Sequence, residues 1–183
     1  MIELKLRVVN DEVLYSADPV TRVASRDIET LVARALATPR KRARLCTHKD
    51  EQDPLHEMLI VHTQETYVRP HLHKNKPESL YIMKGEAALI LFSEDGSIRQ
   101  WTEMGEYASG KPFYCRIADP VYHMLLIRSP VMVFHEVTQG PFRPQDTKFA
   151  PWSPDGSTPG EVARFLERIQ LGQQKSNQGG FDR

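Results

Sequence analysis

Two histidines separated by one residue, His71 and His73, constrain this chain more than any other feature of its sequence. On an extended strand alternate side chains lie on the same face, so both imidazoles can reach one metal ion. Residues 74–77 are polar and end in a proline, which predicts a short hairpin loop that returns the chain beside itself. Glu78 then lies opposite the histidine pair, and Gly85 occupies the next predicted turn.

A third nitrogen ligand has to come from further along the chain, and His123 is the leading candidate. It follows a turn at 119–120 and leads into the apolar strand 125–127. Three imidazoles and one carboxylate suit a single divalent transition metal such as iron, manganese, nickel or zinc. If the ion is six-coordinate, two positions stay open for a substrate or for oxygen. The predicted metal ligands are His71, His73, Glu78 and His123.

From about Leu55 to Val137 the chain consists of short segments rich in Val, Ile, Leu, Tyr and Phe, with no helical pattern between them. Turn signals separate the segments at 94–97, 110–112 and 129–130. Strands at such regular spacing are typical of an all-β sandwich or barrel.

The flanking regions have different patterns. Alternating residues predict strands from Leu4 to Val8 and from Val13 to Tyr15, and Ser25 predicts the N-cap of a helix that Pro39 ends. Apolar residues between 161 and 171 have helical spacing. We therefore expect one domain, divided into N-terminal strands and helix (1–50), the barrel (51–140), a wrapping segment and helix (141–172) and a disordered tail (173–183).

Composition narrows the function classes. The 183 residues include 24 Lys plus Arg and 24 Asp plus Glu, so no net charge draws the protein to nucleic acid or to an anionic membrane. No apolar run approaches the length of about 20 residues that a membrane span needs, and the first residues do not resemble a signal peptide. We predict a cytoplasmic protein without nucleic-acid or membrane partners. Cys46 and Cys115 are far apart and form no CxxC motif, which argues against a thiolate metal site or a disulfide framework.

One basic run, Arg40 to Leu45, stands out locally. It could hold a phosphate or a carboxylate, or it could form the solvated face of a strand.

The metal-ligand pattern also carries a resemblance. The spacing of His71, His73, Glu78 and Gly85 fits the first cupin motif, and His123 lies where the second motif places its histidine. More narrowly, the chain resembles the WbuC family of cupin-fold metalloproteins over roughly residues 23–170. The stretches that carry this are Pro39-Arg40-Lys41-Arg42-Ala43, Tyr67-Val68-Arg69-Pro70-His71-Leu72-His73, Lys76-Pro77-Glu78-Ser79, Gly140-Pro141-Phe142 and Phe149-Ala150-Pro151-Trp152.

The resemblance implies an all-β double-stranded β-helix, a cupin or jelly-roll barrel with one metal in its mouth, and an association with surface-polysaccharide (O-antigen) synthesis. With the flanking patterns, the expected fold has a short N-terminal helix and a C-terminal helix. The second cupin motif usually has Pro and Gly where this chain has Ala118 and Pro120. We therefore expect a differently shaped turn before His123.

Further residues are candidates for the pocket. If the strand stays regular through Pro70, Tyr67 and Arg69 share a face with His71, and Arg69 could bind a carboxylate or phosphate or point to solvent. On the strand 131–137, either His135 or Glu136 faces inward. Glu136 is favoured as a general base, since it matches a glutamate in the resembling family. The predicted catalytic residues are Glu136 and Arg69, and the predicted substrate contacts are Tyr67, Arg69, Lys76, Tyr122 and His135.

Two classes of function are consistent with this pattern. The first is an enzyme, either a metal-dependent isomerase or epimerase of a sugar or nucleotide-linked sugar, or a non-heme iron dioxygenase. The second is a non-catalytic, metal-dependent protein that binds a sugar or another small molecule. Cupin barrels commonly pair, and the N-terminal strands could add to a neighbour's sheet edge, so a homodimer is expected.

Overall fold

The computed structural model describes residues 4–74 and 76–178, with side chains as far as residue 173. These residues form two α-helices, α1 (Ser25–Ala37) and α2 (Pro159–Gln178). They also form twelve strands: β1 (Leu6–Val8), β2 (Val13–Ser16), β3 (Arg42–Cys46), β4 (Leu55–Thr63), β5 (His71–His73), β6 (Glu78–Lys84), β7 (Glu86–Phe92), β8 (Ile98–Gly105), β9 (Tyr114–Ile117), β10 (Tyr122–Ile127), β11 (Val131–Gln139) and β12 (Thr147–Phe149).

The strands form two sheets. The larger has the order β1-β2-β3-β4-β11-β6-β9, and the smaller has the order β12-β5-β10-β7-β8. All neighbouring strands are antiparallel except β2 and β3, which are parallel. Successive strands repeatedly cross from one sheet to the other, which is the winding of a jelly roll. The predicted fold class, a double-stranded β-helix with an N-terminal and a C-terminal helix, is confirmed.

The main core lies between the two sheets, where β4, β6 and β11 of one sheet face β7 and β10 of the other. Its buried side chains include Ile60, Ile82, Leu89, Met104 and Phe134. Burial of these apolar side chains is the principal force that holds the two sheets together.

Each helix covers the outer face of one sheet. Leu31 and Ala35 of α1 pack on Ala43 and Val61 of the larger sheet. On the smaller sheet, α2 contributes Phe165 and other apolar residues to a second cluster that also includes alternate side chains of β10. Strand β10 is therefore buried on both faces, which explains why its sequence is a continuous apolar run rather than an alternating one.

Helix α1 begins as the sequence predicts, but its N-cap is Ala24 rather than Ser25. The Ala24 backbone N–H donates to the Asp27 carboxylate over 2.7 Å, so an acidic side chain in the first turn replaces the hydroxyl that the sequence pattern indicated. The helix ends at Ala37, just before Pro39.

The chain after the barrel returns to cover it. Strand β12 pairs with β5, and the Trp152 ring packs against Phe92 and Tyr122. Helix α2 continues to Gln178, so residues 173–178, which we predicted as part of a disordered tail, are helical. Residues 179–183 of that predicted tail lie outside the described residues. Neither helix in the described part of the chain is long and apolar enough to cross a membrane.

Gly85 makes the turn between β6 and β7 with a φ of +86°, a conformation that side chains with a Cβ rarely adopt. A Cβ there would also collide with the Val131 carbonyl oxygen and the Ser129 hydroxyl. The predicted glycine turn is confirmed.

Candidate metal site

Strands β5 and β10 bring three histidines together. His71 lies directly opposite His123 in the β5–β10 ladder, and His73 lies two residues along on the same face. One nitrogen from each of these three rings lies within 4.8 Å of the others. The alternation of β5 positions them, because Leu72 between them is buried in the cluster beneath the C-terminal segment and α2. This convergence is the one that the His-x-His pattern and His123 predict.

The backbone fixes the orientation of two of these rings. The Nδ1 of His71 donates to the Arg69 carbonyl oxygen over 2.8 Å, and the Nδ1 of His123 donates to the Val121 carbonyl oxygen over 2.9 Å. A carbonyl oxygen can only accept, so each Nδ1 carries a proton, and Nε2 is the nitrogen through which each ring could bind a metal.

The third ring, His73, is held by a side chain instead. Its Nδ1 lies 3.1 Å from the Thr147 hydroxyl on β12, which therefore orients the ring from the neighbouring strand. All three rings have a partner at Nδ1, the kind of outer contact that orients metal-binding histidines.

Glu78, at the start of β6, supplies the carboxylate from the opposite sheet. Its Oε1 lies 2.7 Å from the Nε2 of His123, and its Oε2 lies 3.3 Å from the Nε2 of His73. Burial raises the pKa of Glu78, but the hydrogen bonds with His123 and His73 outweigh this effect and hold its pKa below the ordinary value. A buried carboxylate that accepts from two Nε2 atoms occupies the position that the fourth metal ligand would take.

The pKa values of the rings depend on the same contacts. Burial, together with the charge of His123, lowers the pKa of His71 to about 4, so His71 is a neutral ligand at neutral pH. Burial lowers the pKa of His123 too, but its hydrogen bond with Glu78 outweighs burial and raises it. The set of three imidazoles and one carboxylate fits a first-row divalent ion, and a bound ion would take over the positive charge that His123 offers to Glu78.

The pairing register of β11 decides between His135 and Glu136. Glu136 lies opposite Leu80 and Met58, whose side chains face the core between the sheets, so Glu136 points into the pocket beside the histidines. Burial, followed by the charge of Glu78, raises the pKa of Glu136 to about 8. His135 lies on the outer face, with its Nε2 3.9 Å from Glu57 Oε1, and does not make the substrate contact that we predicted as one possibility.

Arg69 and Tyr67 do not line the pocket, contrary to prediction. The strand is not regular through Pro70, because β5 begins only at His71. The Arg69 guanidinium lies 4.9 Å from the centre of the Phe149 ring and donates to the Ser153 hydroxyl over 3.2 Å. Arg69 thus binds the C-terminal segment to the barrel, and its contribution to the site is the backbone carbonyl that orients His71.

The Tyr67 hydroxyl donates to the Pro154 carbonyl oxygen over 3.0 Å and makes no contact with the histidine cluster. Tyr122 is buried on the face of β10 opposite His123, within the cluster that includes Trp152. The Lys76 ammonium lies 5.8 Å from the centre of the Phe142 ring, and Lys76 does not line the pocket. These three residues are therefore not positioned as the predicted substrate contacts.

The four candidate ligands lie in a cavity of about 280 Å³. Its apolar walls are Val13, Ile60, Val68, Leu80, Leu125 and Phe134. The other side of the cavity carries charged residues that the site prediction missed: Glu12, Arg40, Arg42 and Arg44. The signal was present in the sequence, because Arg42 and Arg44 belong to the basic run and alternate on one face of β3. Nothing in the sequence indicated which face that was.

A comparison with protein-family models gives a match over part of the chain. A family described as "Domain of unknown function (DUF6016)" matches residues 23–104. No curated protein matches the chain in sequence.

Three solved structures illustrate the fold-level likeness. The chain is similar to CapF in complex with the inhibitor 3-isopropenyl-tropolone, with 16% identity over 58% of this chain and 31% of that one and a TM-score of 0.46. It is similar to a Bacillus subtilis oxalate decarboxylase with Mn(II) centres, with 16% identity, 53% and 24% coverage and a TM-score of 0.40. It is also similar to a sugar phosphate isomerase of the cupin superfamily from Silicibacter pomeroyi, with 15% identity, 48% and 52% coverage and a TM-score of 0.38.

The chain thus spans between about a quarter and a half of the length of these three proteins. Strand order, winding and the position of the histidine cluster lead to the same description. The chain has the jelly-roll barrel of the cupin fold, with a histidine cluster in its pocket that could hold a metal ion.

Proposed function

We propose that this chain is a metal-dependent enzyme that isomerises or epimerises a sugar or a nucleotide-linked sugar. Its metal ligands are His71, His73, Glu78 and His123. One observation carries the proposal: three imidazole nitrogens and a buried carboxylate converge in a pocket that also contains a second, separate carboxyl group, Glu136. A purely structural metal site has no need of that extra acid.

The metal, Glu136 and the apolar walls of the pocket would each have a separate role, which follows from their positions. A bound iron, manganese, nickel or zinc ion would polarise a substrate carbonyl. Glu136 would then remove a proton from the neighbouring carbon and return it. Its pKa of about 8 lies close to neutral pH, where a group can act both as base and as acid. The apolar walls, including Leu125 and Phe134, would keep bulk water away from the reacting carbon.

The same pocket argues against a non-catalytic sugar-binding protein. A binding protein usually holds the apolar face of a sugar against aromatic rings. Among the described residues that line the cavity, only Phe134 is a Phe, Tyr or Trp. The resemblance to the WbuC family, with its association with surface-polysaccharide synthesis, supports a sugar-type substrate.

The first experiment combines elemental analysis of the purified protein with solvent-exchange measurements. Wild-type protein is incubated in deuterated water with a panel of aldoses, ketoses, sugar phosphates and nucleotide sugars, and NMR detects deuterium at the carbon next to the carbonyl. We expect near-stoichiometric metal and exchange in one substrate class. Stoichiometric metal without exchange in any of them would contradict the isomerase or epimerase assignment.

A matched pair of variants on β11 tests the role of Glu136. Glu136→Gln keeps the shape of the side chain but removes the acid, so we expect normal metal content and at least a hundredfold slower exchange. The control is His135→Gln, whose side chain lies on the outer face of the same strand. Equal exchange rates in the two variants would contradict the assigned role.

We further propose that the protein is a homodimer that pairs through β1. This strand is the edge of the larger sheet, and Leu6 and Val8 on it are 42% and 56% exposed. An edge strand with exposed apolar side chains is a common site for pairing with a second copy. Light scattering after size exclusion should give twice the chain mass of 21.0 kDa, and a monomer mass at micromolar concentration would refute the dimer.

A further inference from the structure

We propose that the β3 side of the pocket is a binding site for an oxyanion, in which Arg44 and Arg42 hold a carboxylate or a phosphate group of the substrate. The inference deepens the proposed function, on which it rests for the identity of the other end of the pocket, where the metal ligands lie. It names the substrate class as a small sugar-type molecule that carries an anionic group.

The fold forces these two arginines to face inward. Ala43 and Leu45, which alternate with them on β3, are buried in the cluster that α1 forms on the outer face of the larger sheet. The inward face of β3 then carries Arg42, Arg44 and Cys46. In the β3–β4 ladder Arg44 lies opposite Ile60, which belongs to the core between the sheets. Arg42 and Arg44 of the basic run therefore line the cavity, although Arg44 is also exposed to solvent.

A carboxylate from the N-terminal hairpin orders the cavity rim. Arg40 donates to both oxygens of Glu12, over 2.7 and 2.6 Å, and the Nε of Arg42 donates to Glu12 over 3.2 Å. The Glu12 side chain is only 15% exposed, whereas that of Arg40 is 66% exposed, so Glu12 is the shielded partner of this ion pair. Arg42 uses one of its five N–H donors on Glu12, and its Nη groups stay available to a ligand.

Arg44 has a different environment. Its backbone N–H donates to the Glu12 carbonyl oxygen over 2.7 Å, which fixes the main chain. No carboxylate of the described residues lies within ion-pair distance of its guanidinium, and its side chain is exposed and lines the cavity. An anion in the cavity can accept two parallel hydrogen bonds from Arg44.

The cavity volume limits the size of that anion. At about 280 Å³ it lies just below the range for small-molecule sites, which starts at about 300 Å³. One sugar phosphate or sugar acid fits such a volume, whereas the nucleotide part of a nucleotide-linked sugar would have to lie outside it. A sugar phosphate and a sugar acid both present an oxyanion at one end and hydroxyl or carbonyl oxygens at the other.

The test uses inorganic phosphate and acetate as probes for the two sources of the oxyanion. Each ion is titrated into the protein while NMR follows the Nε–Hε signals of the arginines. We expect the signals of Arg44 and Arg42 to shift and saturate, and the signal of exposed Arg22, which does not line this cavity, to stay unchanged. Tighter binding of phosphate would indicate a phosphorylated substrate, and tighter binding of acetate a sugar acid. Shifts that do not saturate, or that are equal at Arg22, would overturn the proposal.

Variants separate this inference from the proposed metal function. Arg44→Gln should weaken binding of the preferred ion at least tenfold, while Arg22→Gln should bind it like the wild type. Both should keep the metal content and the thermal stability of the wild type, because neither residue contacts the histidine cluster. Unchanged ion binding by Arg44→Gln would overturn the oxyanion site.

The titration is repeated after removal of metal by a chelator. If the protein takes up no metal but the Arg44 signal still shifts and saturates, the metal function is refuted and the oxyanion site is supported. If the protein binds stoichiometric metal but the Arg44 signal shows no saturable shift, the oxyanion site is refuted and the metal site is supported.

Discussion

The chain contains two groups of buried or half-buried histidines that differ in chemistry. In the cluster of His71, His73 and His123, every Nδ1 has a partner and the Nε2 atoms converge with Glu78. In the pair of His48 and His56, the rings stack with centres 4.1 Å apart and almost parallel, and His56 Nε2 is buried without a hydrogen bond. No third ligand completes that pair in the part of the chain that the structure describes.

The comparison shows which features separate a candidate metal site from two histidines that merely lie side by side. Proximity alone is not sufficient, because the stacked pair is as close as the cluster. His48 also has a hydrogen bond at Nδ1, to the Glu57 backbone. The difference lies in the number of rings that are oriented in this way toward one centre, and in the carboxylate that the opposite sheet brings. The variants below test this difference, beginning with the one for which we predict the greatest consequence.

Removal of one ligand should have the largest effect. His73→Ala deletes one of the three converging nitrogens, so we expect no stoichiometric metal uptake by elemental analysis. The matched control, His48→Ala, removes a histidine of the stacked pair and should retain the metal of the wild type. Full metal occupancy in His73→Ala would refute the site assignment.

Loss of an outer contact should have an intermediate effect. Thr147→Val keeps the shape of the side chain but removes the hydroxyl beside His73 Nδ1, which should weaken metal binding about 10- to 100-fold in a chelator competition assay. Thr102→Val, on a strand distant from the cluster, should leave the affinity unchanged. If the two variants bind metal equally well, the hydroxyl does not orient the ring.

His62 belongs to neither group and tests how the burial of a histidine affects stability. Burial, with the charge of Arg42, lowers the pKa of His62 to about 3. Below pH 6.5 His62 is protonated in the unfolded chain but stays neutral in the folded protein. The stability that neutral His62 provides is therefore complete above pH 6.5 and is lost as the pH falls toward 3. The loss is about 1.4 kcal/mol per pH unit.

Denaturant titrations between pH 7 and pH 4 measure this slope. For His62→Leu, the free energy of unfolding should depend on pH less steeply than for the metal-free wild type, by that amount per pH unit. His135→Leu, on the outer face, should keep the wild-type dependence on pH. Identical slopes for the wild type and His62→Leu would contradict the assigned protonation.

The smallest effect is expected for the stacked pair. His56→Leu removes a buried nitrogen that has no hydrogen-bond partner, so the free energy of unfolding should change by no more than about 1 kcal/mol. Its metal content should equal that of the wild type. A loss of metal in this variant would mean that the two histidine groups are coupled, and the comparison would fail.

The sequence predicts the ligand set because a local pattern positions it. The alternation of β5 aligns His71 with His73, and a single antiparallel pairing then places His123 opposite them. Gly85 likewise predicts a turn, because glycine readily adopts the positive φ that this position has. These features depend on period and turn chemistry, which are visible over a few residues.

The errors and the alternatives that the sequence left open have the opposite origin. Whether His135 or Glu136 faces inward depends on the pairing register of β11, which is not encoded in either residue. The position of Arg69 depends on Phe149 and Ser153, which lie about 80 residues later in the chain. The arginines of β3 alternate visibly in the sequence, but the packing of α1 decides which face is inward.

The pairing of β5 has a consequence for the order in which the protein is made. Strand β5 has three residues and lies between β10 and β12, so the ribosome must synthesise residues 122–127 and 147–149 before both of its neighbours exist. Thr147, which orients His73, is also among the last of these to leave the ribosome. The histidine cluster is therefore complete only near the end of synthesis, and a nascent chain that stops before β12 would lack both the strand beside β5 and the hydroxyl that contacts His73.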